Sequence, residues 1–127
     1  MPNDEPFAYA LLRAVPQAPR GESLNVGVVL FCRRADFLGL RWTLQRARLL
    51  ALDPTLDLDA LAALLRTLER VVDGDPQAGS VARQPPSERF HWLVAPSSTI
   101  VVPGEVHTGL TSDPRLTLDR LFEQLVA

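Results

Sequence analysis

Leu24-Asn25-Val26-Gly27-Val28-Val29-Leu30-Phe31-Cys32, with its polar approach Pro19-Arg20-Gly21-Glu22-Ser23, is the stretch that decides the fold. A strand with one wet face alternates polar and apolar residues. This one is apolar at both parities and rich in β-branched side chains, so it predicts a strand covered on both faces. Gly27 within it predicts a bulge or the close approach of a neighbour. Upstream, Phe7, Tyr9, Leu11 and Val15 share one side at period two with small residues opposite, which reads as a preceding strand. Pro16 and Pro19 bracket the connection, where ladder donors are missing. Downstream, Arg33-Arg34-Ala35-Asp36 is short and polar enough for a hairpin connection. Leu38, Leu40, Trp42 and Leu44 then alternate with Gly39, Arg41 and Thr43, giving a third strand. Three strands joined by short loops make an antiparallel meander.

Beyond Leu44 the period changes. Gln45 to Leu52 reads as a short helix stopped at Asp53-Pro54, because the residue before a proline is pushed out of helical geometry. Leu58, Leu61, Leu64, Leu65 and Leu68, followed by Val71 and Val72, keep helical spacing. Asp57 is placed as the N-cap, Asp59 and Arg70 favour opposite ends of the helix dipole, and Gly74 lies just past the C-terminus. Residues 73–87, rich in Gly, Pro and polar side chains, read as a mobile loop inside one domain. Glu88 to Ala95 reads as a helix. Thr99 to Val102 and Val106 to Thr108 are expected to form a late hairpin around a Pro103-Gly104 type II turn. Ser112-Asp113-Pro114 opens the last helix, with Leu118, Leu121, Phe122 and Leu125 as its buried stripe. Arg115 and Asp119 are expected to pair one turn apart on its wet side. The expected class is α+β: an antiparallel meander extended by a late hairpin, with amphipathic helices mainly on one face and a single domain over 1–127.

Composition narrows the function classes. At 127 residues, 46% hydrophobic and 22% charged, the chain has the balance of an ordinary globular domain able to bury a core without disulfides or metal. Cys32 is the one cysteine, which fits a reducing compartment. The acidic start Met1-Pro2-Asn3-Asp4-Glu5 is not followed by a long apolar run, and no window has the length of a membrane span, so the expected location is the cytoplasm. All 13 basic residues are arginine, seven against four acids in residues 1–50 and six against eleven in 51–127. A net charge of −2 is far from the balance of a dedicated nucleic-acid module. The asymmetry suits orientation of a protein partner.

Four groups of side chains are candidates for chemistry. Arg20, Glu22 and Asn25 offer a planar fork of donors, an acid to hold it and an amide that donates and accepts; with Ser98 they are the candidate ligand or partner contacts. Local pairing of Arg20 with Glu22, and of Asn25 with backbone, is the simpler reading. Arg33 and Arg34, with Arg41, Arg46 and Arg48, offer a basic face for phosphates, but no reading helix or base-stacking aromatic pattern accompanies them. Trp42 fits the apolar alternation better than a stacking role. Cys32, His91 and His107 are the soft-ligand residues; none has metal-ligand spacing, and a thiol in a buried strand is usually inert. Ser97-Ser98-Thr99 is a hydroxyl run that turn formation explains. No nucleophile elbow, phosphate loop or dinucleotide fingerprint is present, and no cofactor or metal is expected.

Several segments together resemble a bacterial family, domain of unknown function 3037. They are Leu12-Arg13-Ala14-Val15-Pro16, Arg20-Gly21-Glu22, Asn25-Val26-Gly27-Val28-Val29-Leu30, Leu52-Asp53-Pro54, Ser98-Thr99-Ile100, Asp113-Pro114 and Leu118-Asp119-Arg120-Leu121-Phe122. The resemblance spans nearly the whole chain and is most specific at the Arg-Gly-Glu and Asn-Val-Gly elements. It implies no known reaction and no catalytic residues. Family members encoded beside kinases similar to the HipA toxin imply a role as a protein partner; the candidate contacts for it, read from the residues themselves, are Arg20, Glu22, Asn25 and the Arg33–Arg34 turn. Two other readings stay open: a small enzyme or ligand-binding protein centred on Arg20, Glu22, Asn25 and Ser98, and nucleic-acid binding through the early arginines. An exposed sheet edge would also permit a homo-oligomer.

Overall fold

β2 (Leu24–Cys32) lies between β1 (Glu5–Ala14) and β3 (Phe37–Trp42) in an antiparallel meander, as the covered-strand reading requires. The coordinates are a computed structural model that describes residues 4–96 and 99–127. Val26, Val28, Val29, Leu30 and Cys32 are fully buried, because both faces of β2 are packed. On one face, α1 (Arg46–Leu52), α2 (Leu58–Val72) and α3 (Pro86–Leu93) bring Leu49, Leu61, Leu65, Phe90 and Leu93 against Ala10, Leu12, Val26, Val29 and Leu40. On the other, α4 (Pro114–Leu125) sets Leu118 and Phe122 against Phe7, Val28, Leu30 and Cys32. The fold is α+β, with an antiparallel five-stranded sheet and four α-helices among the described residues, three on one face.

Gly27 carries both of its expected features. Leu12 pairs with Gly27 while Arg13 pairs with Asn25, so Val26 is the extra residue of a bulge. The bulge puts Val26 and Val29 into the same core, although three residues apart they would point to opposite faces of a regular strand. A Cβ on Gly27 would stand 3.2 Å from the Arg41 carbonyl oxygen and 3.3 Å from the Trp42 Cβ. The β3 backbone passes that close.

The late strands differ from the expected hairpin. β4 (Val101–Pro103) pairs with Leu12–Ala14 of β1, and β5 (His107–Thr111) pairs with Glu5–Tyr9 of the same strand. They run along one edge of β1 as a single interrupted strand, with residues 104–106 bulging out. Gly104 donates to the Leu11 carbonyl at 2.8 Å and does not take a positive φ, so the type II turn, which needs a left-handed third residue, does not form. A ten-residue β1 has ladder room for both strands, and that decides against a hairpin.

The helix ends follow the sequence. Asp57 accepts from the Ala60 amide and Asp113 from the Leu116 amide, Pro114 opens α4, and Gly74 has φ 72° past α2. Residues 73–87 contain two 3₁₀ turns, Pro76–Ala78 and Val81–Arg83, with Ala82 buried. Two expectations on α4 are corrected. Leu125 is exposed and Val126 takes the buried place, because the helix ends there. Asp119 pairs with Arg41 of β3 at 3.1 Å, whose guanidinium also covers the Phe122 ring, while Arg115 lies over Phe37. A packed sheet neighbour outcompetes a partner one turn away.

Candidate functional site

The residues singled out in the sequence do not gather at one place. Arg20 bonds Glu22 across the exposed loop between β1 and β2. Asn25 turns instead to α4, donating to the Leu125 carbonyl at 3.0 Å. Arg33 lies over the Phe31 ring and Arg34 pairs with Glu5 at 3.5 Å, both in the turn after β2. The two groups flank opposite ends of β2, a separation of roughly 30 Å for nine residues at about 3.3 Å each. Among the other arginines weighed for phosphate contact, Arg41 is tied to Asp119 and Arg48 donates to Gln45 at 2.6 Å. Ser97 and Ser98 lie outside the described residues.

The soft-ligand residues are dispersed as well. Cys32 is fully buried, its thiol donating to the Pro6 carbonyl at 3.4 Å. His107 sits on β5 against Tyr9, ring centroids 5.3 Å apart, and His91 is on the exposed side of α3. Among the described residues no three His, Cys, Asp or Glu side chains stand together in a way that would hold a metal ion. Asp53 is the buried carboxylate. It accepts from the Thr55 hydroxyl at 2.7 Å and the Thr55 amide at 2.9 Å, and these bonds, the hydroxyl's foremost, hold it below the usual carboxylate range against the effect of burial. A Gln17 side-chain hydrogen bond adds to this and ties the β1–β2 loop to the end of α1. Asp53 is thus committed to the fold.

One surface not committed to the fold is an apolar cleft. Leu64 and Leu68 of α2, Trp92 and Leu93 of α3, and Val101 and Pro103 of β4 line about 360 Å³, and among the described residues no ionisable side chain enters the lining. Trp92 keeps 47% of its surface exposed there. The other tryptophan is spent differently: Trp42 donates its indole N–H to Glu69 at 2.8 Å and packs on the core. The cleft exists because α2 carries more leucines than one core stripe needs. Leu61 and Leu65 fill the core, and Leu64 and Leu68, one position round the helix, are left at its border. α3 is held beside α2 by Arg89, whose guanidinium donates to the Val72 carbonyl at 2.5 Å, to Val71 at 3.2 Å and to Gln84 at 3.0 Å. The wide apolar arc of α2 was the one sequence signal for this site; Trp92 and Arg89 carried none that set them apart.

The cleft lies at the end of the sheet where Ala14 pairs with both Leu24 and Val101, the same end as the Arg20–Glu22 loop. Chemically it can take an apolar side chain and exclude water from it; among the described residues its lining holds no acid or base, and its hydroxyl, that of Thr99, donates to the Val101 carbonyl. No helix among the described residues is long and apolar enough to cross a membrane. A family model described as Protein of unknown function (DUF3037) matches residues 9–126. No curated protein and no solved structure matches the chain.

Proposed function

The chain belongs to the DUF3037 family, and from that premise we propose that it works by holding another protein rather than by catalysing a reaction. The observation that carries this is the uncharged cleft with Trp92 half-exposed at its mouth. A large aromatic side chain set in an apolar recess is the usual anchor of a protein interface, where a few such residues supply most of the affinity. The polar Arg20–Glu22 loop at the same end of the sheet suits a rim. A kinase similar to the HipA toxin, or another toxin–antitoxin component, is the partner class that the family resemblance suggests.

Co-purification at native expression tests the proposal. The wild-type chain retains a stable protein partner, and Trp92→Ala, which truncates a side chain already 47% exposed, loses it while still folding with a cooperative melt. Recovery of no partner, or equal recovery with Trp92→Ala, counts against it.

A further inference from the structure

We infer that the partner segment seated in the cleft carries a single acidic side chain close to its apolar anchor, and that Arg13 receives it; this rests on the protein-binding reading above. Leu12 lines the cleft on one face of the sheet, so its neighbour Arg13 stands on the other. Arg13 is exposed and, among the described residues, has no carboxylate within ion-pair distance, whereas Arg20, Arg34, Arg41 and Arg70 each have one. Its guanidinium lies along Gly104 in the bulge between β4 and β5: a Cβ there would come within 3.5 Å of the guanidinium carbon.

The two sites border a common stretch of surface. A shallow, open depression at the outer edge of β4 shares Pro96 and Pro103 with the apolar cleft. It shares Arg13, Gly104 and Glu105 with a third recess of about 270 Å³ that ends at His107. A segment following this band travels about the thickness of a sheet layer, roughly 10 Å, or about three extended residues. It is read by side chains, not by strand addition. The Val101 carbonyl, which turns away from β1, already accepts the Thr99 hydroxyl at 2.7 Å, and Pro103 has no N–H to offer. Glu105 lines the same recesses as Arg13 and, among the described residues, has no cation within ion-pair distance, so it disfavours a run of acids there.

Selection of phage-displayed random dodecapeptides on the full chain, run in parallel on wild type, Arg13→Gln and Trp92→Ala, tests this. Wild type enriches peptides with a large apolar residue followed or preceded by one Asp or Glu two to four positions away. Arg13→Gln keeps the apolar preference and loses the acid. A synthetic peptide of the selected sequence then binds Arg13→Gln roughly three- to fivefold more weakly by fluorescence anisotropy, the upper range of an exposed ion pair, with the gap closing at high salt. Apolar enrichment with no acid preference, or an acid preference that survives Arg13→Gln, overturns this inference and leaves the protein-binding reading standing. No enrichment on wild type, or enrichment that Trp92→Ala does not alter, counts against both.

Discussion

At Gly27 the absence of a side chain sets the spacing of two strands. The Arg41 carbonyl and Trp42 Cβ that a new Cβ would meet belong to β3 itself, so they give way only if the strand moves. Gly27→Val is expected to cost about 1–3 kcal/mol, the range for overpacking a well-filled core. Urea unfolding checks it: the midpoint falls while the slope is unchanged. Asp53 makes a second case, read through pH. Its carboxyl is held below its ordinary value by the Thr55 hydrogen bonds, so the folded state binds a proton less readily than the unfolded chain does. The stabilisation is present above the unfolded value of about 4 and is lost as pH falls through the lower folded value. Wild type should therefore melt above Asp53→Asn at pH 7, with the gap closing below about pH 4. A gap that held constant with pH would show that the charge of Asp53 contributes nothing. Both residues were visible in the sequence, Gly27 as a break in a β-branched run and Asp53 as the residue before Pro54. That Asp53 would be buried was not visible, because Gln17 and Thr55 reach it from separate turns.

Elements that interact locally were legible, and those that depend on distant partners were not. The α2 cap at Asp57, its leucine stripe and its stop at Gly74 are all within one segment and appear where the spacing puts them. The late hairpin failed because Pro103-Gly104 is a turn signal only when the flanking strands pair with each other; here both pair with β1. Arg89 is the same lesson for a helix. It closes the C-terminal end of α2 from α3, seventeen and eighteen residues away, and no local motif marks it. Arg89→Leu is expected to lower stability by about 1.5–3 kcal/mol, as for hydrogen bonds from a charged donor. Arg89→Lys should restore only part of that, since one ammonium cannot reproduce the planar fork over the Val71, Val72 and Gln84 carbonyls. Thermal melts of the two variants against wild type decide it; full rescue by lysine would contradict the account.

Over the whole molecule, a sheet packed on both sides leaves function to its ends and edges. Of the six residues proposed from sequence, four make polar contacts within the chain: Arg20 and Glu22 with each other, Asn25 with α4 and Arg34 with Glu5. The cleft could not be read from any one segment, because α2, α3 and β4 each give it only two residues. The direct measurement is site-specific photo-crosslinking in the native cells, with the photoreactive amino acid placed in turn at positions 92, 20 and 33. The account predicts a discrete protein adduct from position 92, a weaker one from position 20 at the rim, and none from position 33 at the far end of β2. Adducts from position 33 with none from position 92 would contradict it.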